Sequence, residues 1–303
     1  MGILGKKLAF VFPGQGSQAV GMGEDFLKCP ASARLFGEAG GALSELCFRG
    51  PGELLGRTVN TQPALYLVSC AAFEAVREKA QPIVCAGHSA GEYAALYAAG
   101  AFSFSEGLRL IGRRAALMEE CAEANPGAMA AVIGLGPEAV TEVCKNVKGV
   151  CVPANFNSPL QTVVSGEKAA LSEAEPLFKE AGARRVVFLR VSGGFHSPLM
   201  NDAAEGLASA LEETVFSPCA APVVSNAEAL PETEPEEVKR NLKKQLTGSV
   251  RWTESVLKMK EMGAEAFVEL GSGSVLAGLI GKTLPDVPVV SIGCMADIDK
   301  LGD

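Results

Sequence analysis

Residues 82–100, PIVCAGHSAGEYAALYAAG, constrain the fold of this 303-residue chain more than any other stretch. An apolar run ends in Gly87-His88-Ser89-Ala90-Gly91 and turns at once into an alanine-rich helical segment. G-x-S-x-G between a strand and a helix is a nucleophile elbow; it needs small residues two before and two after the serine because Cβ atoms there would clash with neighbouring backbone. The turn pushes the Ser89 hydroxyl out at a helix N-terminus, where the next amide and the helix dipole stabilise an oxyanion. The stretch therefore asks for an α/β sheet and offers a nucleophile on it.

The rest of the chain supplies that sheet. LAFVF, IVCAG, PVVSN, AFVEL and VPVVSI read as strands, and QPALYLVSCAAFEAVREKA, FSEGLRLIGRRAALMEECAEA and SPLMNDAAEGLASALEETV carry helical apolar spacing. Alternation of the two predicts a mostly parallel sheet covered by helices. From about 127 to 191 the order changes to strand AMAAVIGL, helix PEAVTEVCKNV, strands VCVPANF and QTVVSG, helix EKAALSEAEPLFKEAG and strand RRVVFLRV. That β-α-β-β-α-β run is the ferredoxin-like pattern. The expected organisation is a large α/β domain of residues 1–125 plus 193–303, interrupted by a ferredoxin-like subdomain of residues 126–192. A cleft between the two is the natural place for a site.

Composition narrows the function classes. With 48% hydrophobic residues the chain can build a sizeable core. No apolar stretch reaches 18 residues and the opening MGILGKKLAF has no leader layout, so a soluble, cytoplasmic protein with no membrane role is expected. Nine cysteines, with no C-x-x-C pair, read as buried thiols of a reducing compartment. A net charge of −8 argues against a nucleic-acid partner. An acidic protein partner would need a local basic patch, either Arg184, Arg185 and Arg190 or Lys239, Arg240, Lys243, Lys244 and Arg251.

A serine hydroxyl needs a base within hydrogen-bonding reach. The chain has two histidines; His88 is locked into the elbow with its side chain directed away, which leaves His196, in VSGGFHSPLM, at the return from the insertion. No Asp or Glu stands out as a third member. The stretch LAFVFPGQGSQA, residues 8–19, also matches the G-x-G-x-x-G/A fingerprint of a dinucleotide site. That reading requires an acidic residue at a strand end about 20 residues on. The nearest candidate, Glu38, follows a helix-like segment instead.

FVFPGQGSQAVGMG, TQPALY, GHSAGEYAAL, GAMAAVIG, NFNSP, VSGGFHSPLM, QLTGSVRW and VELGSGSVLAGLI together resemble, in order and spacing over nearly the whole chain, the malonyl-coenzyme A:acyl carrier protein transacylases. These are related to the acyltransferase domains of polyketide synthases. The resemblance implies a hydrolase-like α/β core with a ferredoxin-like insertion, and transfer of a malonyl group to the carrier protein through a malonyl-Ser89 intermediate. His196 would act as base and acid, held by the main-chain carbonyl of Gln245; the backbone amides of Gln15 and Ala90 would form the oxyanion hole. Arg114 would bind the malonyl carboxylate, Asn155 would lie near the site, and Phe195 would disfavour a branched acyl group. Many members carry Leu or Val where this chain has Ala90. The resemblance implies no metal and no cofactor beyond malonyl-coenzyme A as substrate, and an acidic acyl carrier protein docking on a local basic patch; a monomer is the default expectation. The same serine and histidine would also serve a hydrolase or thioesterase, or a polyketide acyltransferase acting in trans.

Overall fold

A computed structural model describes residues 2–302. The strands are β1 (Leu8–Phe12), β2 (Pro82–Gly87), β3 (Gly127–Ile133), β4 (Cys151–Ser158), β5 (Gln161–Glu167), β6 (Arg185–Phe188), β7 (Val223–Val224), β8 (Pro231–Glu232), β9 (Ala266–Leu270) and β10 (Val289–Ile292). Six form one sheet in the order β10-β9-β1-β2-β7-β8, parallel except for the β7–β8 edge pair. Its centre is buried on both faces, which is why β1 is an unbroken apolar run. Leu8, Phe10 and Phe12 enter the core on one face, beneath the Thr58–Val76, Phe104–Ala124 and Asn201–Glu213 helices. Ala9 and Val11 enter the other, beneath Trp252–Glu261 and Val275–Thr283. PVVSN pairs over only two residues, Val223 and Val224, because β7 is a short strand near the sheet edge.

The remaining four strands form an antiparallel sheet in the order β4-β5-β3-β6, lying wholly within the stretch read as an insertion. Period-two alternation divides its faces. Ala130 and Val132 pack under the Pro137–Lys145 and Lys168–Glu180 helices with Val140, Leu171 and Phe178. Met129, Ala131, Ala154 and Val163 face the other way and join the core of the large sheet. The second face is thus both a structural contact and one wall of whatever lies between the sheets.

All nine cysteines are free thiols. Six are buried, whereas Cys29, Cys219 and Cys294 are partly exposed because each sits in a connection rather than inside a core element. Among the described residues no helix is long and apolar enough to cross a membrane. Glu38 lies near the end of the Pro30–Ala39 helix and binds Arg34 at 2.9 Å, away from any strand end.

Candidate active site

β2 ends at Gly87 and the Gly91–Ala98 helix begins four residues later. A Cβ on Gly87 would run into the backbone of Gly91, and a Cβ on Gly91 into the carbonyl of Phe12, so the turn closes only with glycine at both places. Ser89 is left with φ +53°, a conformation most side chains avoid and one typical of a strained elbow. Asn226, just past β7, staples the turn: its Oδ1 accepts from Ser89 N at 2.7 Å and its Nδ2 donates to Gly87 O at 2.6 Å.

His196 arrives on the loop leading out of the four-stranded sheet, also at positive φ (+56°). Its Nε2 lies 2.7 Å from Ser89 Oγ and its Nδ1 lies 2.8 Å from the main-chain carbonyl of Gln245. A carbonyl only accepts, so Nδ1 carries the proton and Nε2 presents its lone pair to the serine hydroxyl. Burial, then the nearby Arg114 charge, push the imidazole pKa down to about 3, so the ring is neutral and able to take a proton. His88 takes no part in this pair: its Nε2 hydrogen-bonds Asn157 Oδ1 at 2.8 Å and its ring meets the edge of Trp252.

Arg114 sits on the apolar face of the Phe104–Ala124 helix, between Leu110, Ile111, Ala115 and Met118, and is fully buried, whereas its neighbour Arg113 is exposed. Its guanidinium donates to Gln62 Oε1 (2.6 Å), Gln245 Oε1 (2.8 Å) and Ser89 Oγ (3.1 Å), all neutral oxygens, while Nε has no partner among the described residues. Burial lowers its pKa, yet a guanidinium stays charged.

An inventory of amides around Ser89 separates used donors from free ones. Ser89 N goes to Asn226, Gly91 N to His88 O, Gly16 N to Gln18 Oε1 and Ser17 N to Gly14 O. Ala90 N and Gln15 N have no protein acceptor among the described residues, and both residues line the cavity at Ser89. Gly14 brings its loop this close because a Cβ there would strike the carbonyl of His88. The cavity is narrow, about 90 Å³, well below the roughly 300–1,000 Å³ of drug-sized pockets. Met129, Asn155, Leu189, Val191 and Phe195 form its other walls.

The residues expected at the active site thus lie in one place, Asn155 and Phe195 as walls and Ser89, His196, Gln245, Gln15, Ala90 and Arg114 around the hydroxyl. Gln62, Glu92 and Asn226 were not foreseen. Gln62 was within reach as part of TQPALY, and Asn226 lies just beyond the end of a parallel strand, the sheet edge where ligands bind.

A strand-to-helix serine elbow, a neutral histidine on its hydroxyl and two free amides beside it define a serine acyl-transfer enzyme. The family described as "Acyl transferase domain" matches residues 9–297. Malonyl CoA-acyl carrier protein transacylase of Haemophilus influenzae is 42% identical over 306 residues, covering 98% of each chain. The solved acyl carrier protein S-malonyltransferase of Vibrio cholerae is 41% identical, with a TM-score of 0.93 over 97% of this chain and 99% of that one. A malonyl-transacylase solved in complex with its type II PKS acyl-carrier protein is 39% identical, with a TM-score of 0.94 over 97% and 98%. The chain belongs to the acyltransferase family, among the malonyl-coenzyme A:acyl carrier protein transacylases.

Proposed function

We propose that the protein moves a malonyl group from malonyl-coenzyme A to the phosphopantetheine thiol of an acyl carrier protein through malonyl-Ser89. Ser89 Oγ attacks the thioester carbonyl while its proton passes to His196 Nε2, and the oxyanion is held by the N–H groups of Gln15 and Ala90. The tetrahedral intermediate collapses, and coenzyme A leaves as the thiol with the proton from His196. The carrier thiol then attacks the ester carbonyl, gives its proton to His196, and Ser89 leaves with that proton. A thioester is already activated, so these residues account for both steps. Oxyanion donors of this kind are typically worth about 10²–10³ in rate each.

The observation that carries the choice of acyl group is Arg114. It is a buried guanidinium 3.1 Å from the nucleophile, with all its hydrogen bonds to neutral oxygens and its Nε without a partner among the described residues. The free carboxylate of a malonyl ester lies only three bonds from Oγ, within reach of that guanidinium. An acetyl ester has nothing there to offer. Phe195 narrows the same cavity against a branch at the middle carbon, and Asn155, whose side chain has no hydrogen-bond partner among the described residues, forms another wall that the acyl group would meet.

For the carrier protein, the Arg184, Arg185 and Arg190 patch fits better than the second cluster. Lys239, Arg240, Lys244 and Arg251 are each paired with a glutamate. Arg184, Arg185 and Arg190 are exposed and make no ion pair among the described residues, and the segment carrying them runs past exposed Phe188 to Leu189 and Val191 at the cavity. The deciding experiment is intact-protein and peptide mass spectrometry after incubation with malonyl-coenzyme A. A malonyl adduct on Ser89, passed to holo-carrier protein on its addition, is expected. No adduct under trapping conditions would sink the reading, and adduct loss to water faster than to carrier would make the protein a hydrolase.

A further inference from the structure

Glu92 follows directly on the elbow, in the first turn of the Gly91–Ala98 helix, and is completely buried. Neither step of the proposed reaction uses it. Its carboxylate accepts hydrogen bonds from Gln245 Nε2 and from the backbone N–H of Asn226. Those two residues hold nearly everything else in place. Gln245 donates through Nε2 to Ser89 O at 3.1 Å, accepts Arg114 on Oε1 and accepts His196 on its main-chain carbonyl. Asn226 holds Ser89 N and Gly87 O.

We propose that Glu92 is the positioning residue of this site, fixing which way round the Gln245 amide sits and, through Gln245 and Asn226, holding Arg114, Ser89 and His196 in reactive register. The inference rests on the acyl-transfer reading of the Ser89 site. An ionised carboxylate only accepts, so it requires the NH2 of Gln245 to face it, which turns Oε1 toward Arg114. With the amide reversed, oxygen would face oxygen at Glu92 and NH2 would face the guanidinium at Arg114. Only one orientation satisfies both neighbours: the guanidinium and the ionised carboxylate each exclude the other one, and Glu92 supplies the hold on the NH2 side. Glu92 is also the compensating charge for a guanidinium that touches no carboxylate, held one amide away.

The groups facing Glu92 are Arg114 from the Phe104–Ala124 helix, Glu232 from β8, Tyr93 from its own helix, and the neutral amides of Gln245 and Asn226. Burial first, then repulsion from Glu232, raise the Glu92 pKa to about 8, while Arg114 opposes the rise. As pH falls through that value the carboxylate protonates, its hold on the Gln245 amide slackens and acylation slows. His196, depressed to about 3, does not titrate in this range, whereas burial raises Glu232 to about 7, so an acid limb there reports the Glu92–Glu232 pair and the variant at each position separates the two.

The test is single-turnover acylation of Ser89 by malonyl-coenzyme A across pH in the wild type, Glu92→Gln and Glu232→Gln. The wild type should lose rate as pH falls through the region of 8. Glu92→Gln should lower kcat about 10–100-fold, change KM little and abolish the limb. Glu232→Gln, which removes the like charge, should move the limb to lower pH. Combined with Gln245→Met, which keeps the main-chain carbonyl, Glu92→Gln should cost much less than the product of the single losses. A Glu92→Gln enzyme that keeps the limb, or whose loss multiplies with that of Gln245→Met, overturns the proposal. Should Glu92→Gln fail to fold by circular dichroism, the wild type and Glu232→Gln decide: a flat wild-type profile, or a limb unmoved in Glu232→Gln, overturns it. A wild type that never acquires a malonyl adduct sinks the acyl-transfer reading itself; one that loads without a limb sinks only the role of Glu92.

Discussion

The two sheets contribute to the site in different ways. The parallel sheet supplies the groups proposed to react or to hold reacting groups: the elbow at the end of β2, the Gln15 loop after β1 and Asn226 after β7. All three lie beyond the carboxyl ends of parallel strands, where side chains and free amides converge on one edge. The antiparallel sheet supplies walls and an approach, with Met129 on β3, Asn155 on β4 and the Leu189–Val191 segment after β6, and its exit loop carries Phe195 and His196. The groups proposed to react sit at the doubly covered sheet, with Arg114 on a helix packed over it, while the antiparallel sheet and its exit loop furnish further walls of the cavity and the face proposed for the carrier protein. The histidine alone crosses that division.

Substitutions test this division most sharply where they should cost most. Ser89→Ala, on the parallel-sheet side, should abolish the covalent adduct and lower transfer by about 10⁴-fold or more, measured as carrier-protein malonylation. Arg114→Ala should lower malonyl loading by about 10²–10³-fold, since it removes a buried charged donor, and acetyl loading much less. Equal losses for the two acyl groups would break the assignment of Arg114 to the carboxylate. Phe195→Ala, on the insertion side, should raise methylmalonyl over malonyl loading by about tenfold, because one methyl in a tight pocket is worth about 1–3 kcal/mol. Arg190→Glu should weaken carrier-protein transfer only several-fold, visible in KM and fading at high salt, with loading from malonyl-coenzyme A untouched. If Arg190→Glu instead slowed loading, the insertion would share in the chemistry and the division would fail.

Much of this arrangement was legible in the sequence for definite reasons. Central parallel strands are buried on both faces and so appear as apolar runs, as LAFVF does throughout and AFVEL does apart from Glu269. The Phe104–Ala124 helix begins where it was read because Ser103 and Glu106 close a capping box. The elbow announces itself through Gly87 and Gly91, and with only two histidines in the chain, His196 followed by elimination. Gln245 and Arg114 came from the resemblance, since neither a main-chain acceptor nor a buried guanidinium leaves a local signature. Glu92 and Asn226 stayed hidden for a different reason. Their roles consist of bonds spanning 153 and 137 residues, and no periodicity encodes such a distance.

The carbonyl behind His196 has a consequence for what the cavity will admit. In a Ser-His-Asp triad the imidazole is oriented by a full negative charge. Here the orienting group is an amide dipole, and the one carboxylate tied to the network among the described residues, Glu92, is kept on the far side of Gln245. The chamber therefore stays attractive to anions while its base is still held at the right angle. A carboxylate at the position of that carbonyl would steady the same proton transfer and at the same time repel the incoming acyl group whose charge Arg114 is proposed to receive.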